Sequence, residues 1–327
     1  MNGGASSDDR AAESLWAALI GDGRPLLSLT GLALILSGGF MLFLSVTGSF
    51  LPHDIAYLGM DASALCNLAQ CRVVHFMFHD RVSFGGVLIA IGTLYLWLAE
   101  FPLRRGEEWA WWVFAASGAT GFASFLSYLG YGYLDTWHGT ATLALLPLYL
   151  LGMWRTRRLL TTEPRRGWRS LRSPGRSLEW RTRAGIGRTL LLFSGLGMTL
   201  AGSVITAVGM TTVFVPEDLA YMGLSASQIG EISSRLLPLI AHDRAGFGGG
   251  LLSCGVTVFL IVWKAPLTRA LWQALLLSGL AGFACAIGIH YRIGYLIFTH
   301  LAPAWAGALL YAAGMVFLWR RWPRVGA

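Results

Sequence analysis

Two stretches decide how this chain is read: RVVHFMFHDRVSFGG at residues 72–86 and RLLPLIAHDRAGFGG at residues 235–249. Arg72 aligns with Arg235, His79-Asp80-Arg81 with His242-Asp243-Arg244, and Phe84-Gly85-Gly86 with Phe247-Gly248-Gly249. The same offset, about 163 residues, pairs FLPHDIAYLGMDAS from Phe50 with FVPEDLAYMGLSAS from Phe214. It also pairs GFASFLSYLGYGYLDTWH, ending at His138, with GFACAIGIHYRIGYLIFTH, ending at His300, with one residue inserted. A further match joins the segments that end at Met153 and Met315. The chain therefore reads as one structural unit in two tandem copies.

Composition says what solvent those copies meet. The 327 residues are 55% hydrophobic and 13% charged, with a mean hydropathy of +0.57, which suits a lipid bilayer rather than water. Apolar runs long enough to cross the hydrocarbon fall near residues 26–50, 82–101, 109–129 and 141–154, and again near 189–213, 247–262, 270–289 and 303–318. The expected fold is all-α: a polytopic membrane protein of eight transmembrane helices, arranged as two four-helix bundles at 26–154 and 188–320. An Arg-rich linker at 155–187 joins them, with tails at 1–25 and 321–327. Four spans per copy is an even number, so both copies enter the membrane in one orientation, as parallel repeats. The first 25 residues lack the basic n-region of a cleaved signal, and a short interfacial helix is expected around Trp16. The 41 glycines suit close helix packing in lipid.

Charge sets the orientation. The net charge is +8, and the Lys and Arg residues gather on one set of loops, including eleven arginines from Arg155 to Arg188. By the positive-inside rule those loops and both termini are cytoplasmic, in a bacterial-type inner membrane. The basic linker then rests on anionic headgroups, and no nucleic acid is expected as a partner. Arg72, Arg81, Arg235, Arg244 and Arg292 fall on the opposite side, against the rule, and so call for a local reason.

Topology puts His79 and His242 at the start of the second helix of each copy, and His138 and His300 at the start of the fourth. All four then lie at one depth near the outer leaflet. Imidazoles facing each other from helices 2 and 4 suit a flat macrocycle with an axial ligand on each face, as in a bis-histidine haem b. In that reading Arg81 and Arg244 pair with propionates, and Asp80 and Asp243 can accept the distal ring N–H. The bland alternative is an interfacial polar cap. His75 lies one turn before His79 and aligns with Pro238, so His75 with His79, Asp80 and His138 is an alternative centre for non-haem iron, copper or zinc, with His75 and Asp80 in the chemistry. His290 and Arg292 belong to the second copy alone.

Cys66 and Cys71 stand in the first outer loop, where a structural disulfide, a redox-active pair and free thiols are all open. Cys254 and Cys285 fall inside spans as buried thiols. Asp54 and Asp218 sit in a Pro-x-Asp-x-Ala-Tyr turn, each a cap for a short helix over the bundle mouth.

From about residue 26 to 318 this pattern resembles the haem A synthase family. The resemblance implies two tandem four-helix bundles with paired histidines near the outer ends of helices 2, 4, 6 and 8. It implies His79 and His138 around a substrate haem, His242 and His300 on a bound haem b, and Cys66 with Cys71 as the family's cysteine pair. The family's glutamate one turn before its first histidine is replaced here, where Phe76 and His75 stand. The leading expectation is thus a haem-binding membrane oxidoreductase working with a lipid-soluble partner such as a quinone or haem. A non-haem metalloenzyme and an anion-binding transporter or assembly factor are the alternatives.

Overall fold

The computed structural model describes residues 20–69, 71–124, 133, 136–161, 167–175 and 179–319, and all regular structure among them is helical. In the first half α1 is Arg24–Thr47, α2 Pro52–Leu58, α3 Ala62–Ala69, α4 Arg72–Glu100, α5 Glu108–Ser124 and α6 Thr136–Thr156. In the second half α7 is Arg183–Met210, α8 Pro216–Met222, α9 Ala226–Ile232, α10 Leu236–Lys264, α11 Arg269–Ile293 and α12 Phe298–Leu318. Six of these, α1, α4, α7, α10, α11 and α12, are long and apolar enough to cross a membrane. The other two expected spans correspond to α5 and α6. Residues 125–132, the expected end of the third span, lie outside the described residues, as do the segment around Trp16 and the tail at 321–327.

Local chemistry explains the short helices. Pro52 and Pro216 open α2 and α8 at the first helical turn, where their missing N–H costs nothing, and Gly59 and Gly223 close them in the left-handed conformation. Asp218 caps as expected, with its carboxylate accepting from the Val215 N–H. The helices α4 and α10 begin earlier than hydropathy suggests, at Arg72 and Leu236. His79 and His242 are consequently about two turns inside their helices and buried rather than at a helix start.

The packing corrects the expected pair of separate bundles. α1 packs on α4 and α7 on α10, within each half, but α4 then packs on α11 and α10 on α5, across the halves. α6 returns to α1, and α12 to α7, so the eight long helices form one closed ring in the order α1, α4, α11, α12, α7, α10, α5, α6. α4 and α10 also touch each other through the middle, and they are the most deeply buried helices. α6 packs chiefly on α1 and α12 chiefly on α7, so helices 2 and 4 of one half are not the main packing partners of each other.

Small residues make the crossing possible. A Cβ on Gly86 of α4 would stand 2.5 Å from Cys285 Cβ of α11, and one on Gly249 of α10 would stand 2.2 Å from Ser124 Cβ of α5. Repeated Phe-Gly-Gly thus marks the places where each central helix meets the other half. Loops interlock in the same way: Arg72 donates to the Tyr221 carbonyl at 3.2 Å, and Arg235 to the Tyr57 carbonyl at 2.5 Å. Hydroxyls also link the halves, since Tyr95 donates to Ser117, and Ser253 and Thr257 of α10 close on the same Ser117 of α5.

Replacing Gly86 or Gly249 with Val is expected to lower stability by about 1–3 kcal/mol through overpacking. The same change at Gly39 or Gly197, where a Cβ meets nothing within 4 Å, is expected to leave the thermal unfolding midpoint unchanged.

Candidate metal centre

Asp54 and Asp218, introduced by the short helices α2 and α8, are 1% and 0% exposed. A buried carboxylate needs a cation or several donors, and each has both. Arg81 reaches Asp54 Oδ2 through Nη1 at 2.8 Å and donates through Nε to Asp243 Oδ2 at 2.8 Å. Arg244 mirrors it, holding Asp218 through both terminal nitrogens and facing Asp80 Oδ2 through Nε at 3.4 Å. Each guanidinium therefore ties the short helix of its own half to the acidic residue of the other half. Tyr133 donates to Asp54 at 2.6 Å, and Tyr295 to Asp218 at 2.7 Å. Burial pushes the Tyr295 phenol up, and the neighbouring Asp218 carboxylate pushes it the same way, which keeps it a donor.

These bridges revise two assignments. Arg81 and Arg244 are not turned toward an external anion such as a propionate, because two carboxylates already occupy each of them. Asp80, a full residue step round the helix from His79, does accept from it: His79 Nδ1 and Asp80 Oδ1 are 3.0 Å apart. Asp243 instead serves Arg81.

The histidines also pair across the halves. His138 Nδ1 lies 3.0 Å from His242 Nε2, so α6 of the first half meets α10 of the second. On the other side His79 meets His290 and His300, whose nearest ligand atoms all lie within 4.8 Å of one another. The expected partners His79 with His138, and His242 with His300, are not paired, because each of these histidines meets one from the other half instead. His75 is exposed, outside this cluster, so the expected metal set of His75, His79, Asp80 and His138 keeps only His79, with Asp80 behind it. Cys66 and Cys71 form the disulfide, closing α3 onto the start of α4. Cys254 is buried and Cys285 half-buried.

The trihistidine corner has a specific electrostatic character. His79 Nδ1 faces a carboxylate and His290 Nδ1 lies 2.6 Å from the Ala286 carbonyl, both of which only accept. Each Nδ1 therefore carries the hydrogen, a tautomer assigned from its partner. The two rings then face each other through Nε2, 3.1 Å apart, close enough to share a proton or to hold one metal ion between them. With metal–nitrogen bonds of about 2.0–2.1 Å, the spacing corresponds to a nitrogen–metal–nitrogen angle of roughly 100°, near tetrahedral. His300 stands 5.8 Å from His79 and 5.3 Å from His290 between ring centroids, with Tyr295 stacked on it at 4.4 Å. Asp80 and Asp218 outnumber Arg244, which leaves a formal negative charge for a cation to offset.

The same distances test the haem expectation. A porphyrin needs its two axial nitrogens on opposite faces of a flat macrocycle. The rings of His79 and His290 meet edge to face at 85° with centroids 4.3 Å apart, and Phe76 and Tyr295 pack against His79. Beside His138 and His242 the cavity amounts to about 10 Å³. These residues do not fit a bis-imidazole haem.

His290 and Tyr295 carry this corner, yet neither stood out as a site residue in the sequence. The signal for Tyr295 was its place after glycine in both copies, Gly132-Tyr133 and Gly294-Tyr295. His290 was visible only as a titratable residue inside an apolar run, without a first-copy partner.

Asp218→Asn is expected to lower stability by about 3–5 kcal/mol, because it breaks a buried ion pair from one side. Adding Arg244→Met to it is expected to recover part of that loss in the unfolding midpoint. No family model matches the chain, and neither a curated protein nor a solved structure matches it.

Proposed function

We propose that the protein is an integral membrane metalloenzyme with a non-haem centre held by His79, His290 and His300. The reading rests on one observation above the others: two histidines, each held through Nδ1, turn their Nε2 atoms to each other at 3.1 Å, with a third histidine beside them. Six helices apolar enough to span, with α5 and α6 completing the ring, support eight crossings in two tandem copies. Basic loops at the other end support an orientation with the centre toward the outer leaflet of a bacterial-type inner membrane and both termini cytoplasmic. Three protein nitrogens leave coordination positions for a substrate or water, as catalytic centres do and closed structural sites do not. Neutral imidazoles suit zinc, copper or iron. The metal supplies Lewis acidity or electron transfer at that open position. Around it, Asp80 and the Ala286 carbonyl fix two ligand rings, Tyr295 braces the third, and Arg244 anchors the carboxylates that do so. With a rim at membrane depth, the natural partner is a lipid-soluble molecule such as a quinone.

Elemental analysis of purified protein is expected to find about one transition metal per chain, lost in His79→Ala and His290→Ala and retained in His75→Ala and His138→Ala. Unchanged metal content in the first pair, or a Soret band that fades with His242→Ala or His300→Ala, would overturn this assignment in favour of another centre.

A further inference from the structure

A groove of about 690 Å³ opens between α11 and α12, away from the halves' interface. Leu280, Phe283, Gly288, Trp305, Ala308 and Tyr311 are among its walls, and its lining is apolar throughout. That volume is in the range of small-molecule sites. Leu280, 57% exposed, and Leu309, 62% exposed, leave the helix pair open sideways.

Helical periodicity connects this groove to the trihistidine corner. Gly279 packs on Tyr311, the contact that pins the floor of the groove. Eleven residues make about three turns, so His290 projects from the same face as Gly279, roughly 16 Å further along. His300 bears the same relation to Tyr311, eleven residues earlier on the antiparallel α12. Gly288 and Trp305 carry the lining to within about two turns of the two ligands. At the far end, Trp272 and Trp319 close it. From Trp272 to Gly288 the groove runs about 24 Å, close to the hydrocarbon depth of a bilayer.

We infer that this groove holds the chain of a long-chain amphiphile that enters sideways from the membrane, with its polar head delivered to the metal at His79, His290 and His300. The inference rests on the metal centre proposed above and names the class of molecule it acts on. Apolar walls of bilayer length fit an alkyl or isoprenoid chain, and at the Gly288 and Trp305 end they approach the histidine corner. Among the described residues, the cavity beside His138 and His242 measures about 10 Å³.

Two probes separate chain from head: N-dodecylimidazole and N-methylimidazole, titrated against the Co(II)-loaded full-length protein in detergent and read by the visible cobalt absorption. A Cβ on Gly288 meets nothing within 4 Å, so Gly288→Trp fills the groove without disturbing helix packing, and Ala308→Phe narrows it from the other wall. In both variants the dodecyl probe is expected to bind about tenfold more weakly, a loss comparable to a few buried methylenes, with the methyl probe within about twofold. Equal changes for both probes, or none for either, would show that the groove holds annular lipid only and overturn the inference while leaving the metal centre standing. Failure of the unaltered protein to take up Co(II) would overturn the centre and this inference together.

Discussion

One guanidinium held between two buried carboxylates from different halves is the constraint on which the architecture turns. Arg81 and Arg244 each make such a bridge, and neither can be satisfied by its own half alone. Removing charge from water is costly, and the bridges repay that cost only when all three groups arrive together. The short helices α2 and α8 are thus held by arginines that are themselves anchored across the crossing of α4 and α10. The lid over the ring's mouth and the meeting of the halves depend on the same residues. Tyrosine hydroxyls complete the carboxylates' partners, so the polar corner is satisfied although it lies deep in an apolar fold.

The trihistidine centre is a product of the same crossing. His79 comes from α4, while His290 and His300 come from α11 and α12, helices that reach α4 only because the ring interleaves the halves. A histidine on a separate four-helix bundle would have met its own fourth helix instead. The glycines of the repeated Phe-Gly-Gly segment give the backbones the room to come together, and the bridges then hold the depth at which the rings face one another.

Much of the helical plan was legible in the sequence, because hydropathy, proline and glycine act locally. Pro52 and Pro216 announced short helices, and of the three readings open for Cys66 and Cys71 the disulfide is the one present. Partner choice was not legible. Periodicity says which face of a helix is buried, but His79 buried against α6 and His79 buried against α11 leave the same one-dimensional pattern. Chain order favoured neighbours within a copy, and the ring overrode it. The arginines show the same gap: their depth was readable, but whether an internal carboxylate or an external anion met them depended on residues about 160 positions away. His290 was hidden for a different reason, since an alignment of copies brings forward what they share and this residue is what they do not.

That last asymmetry has a consequence for how such a centre can arise. Two identical chains assembled into the same ring would carry two identical corners, and any third ligand gained by one would be gained by both. Joined in one polypeptide, the corners are free to part ways. One keeps a histidine pair beside Arg81, and the other adds His290 to make a cluster of three histidines. Covalent linkage of the copies thus does more than fix stoichiometry. It permits a symmetric scaffold to specialise one of its two pockets while the other goes on serving the frame.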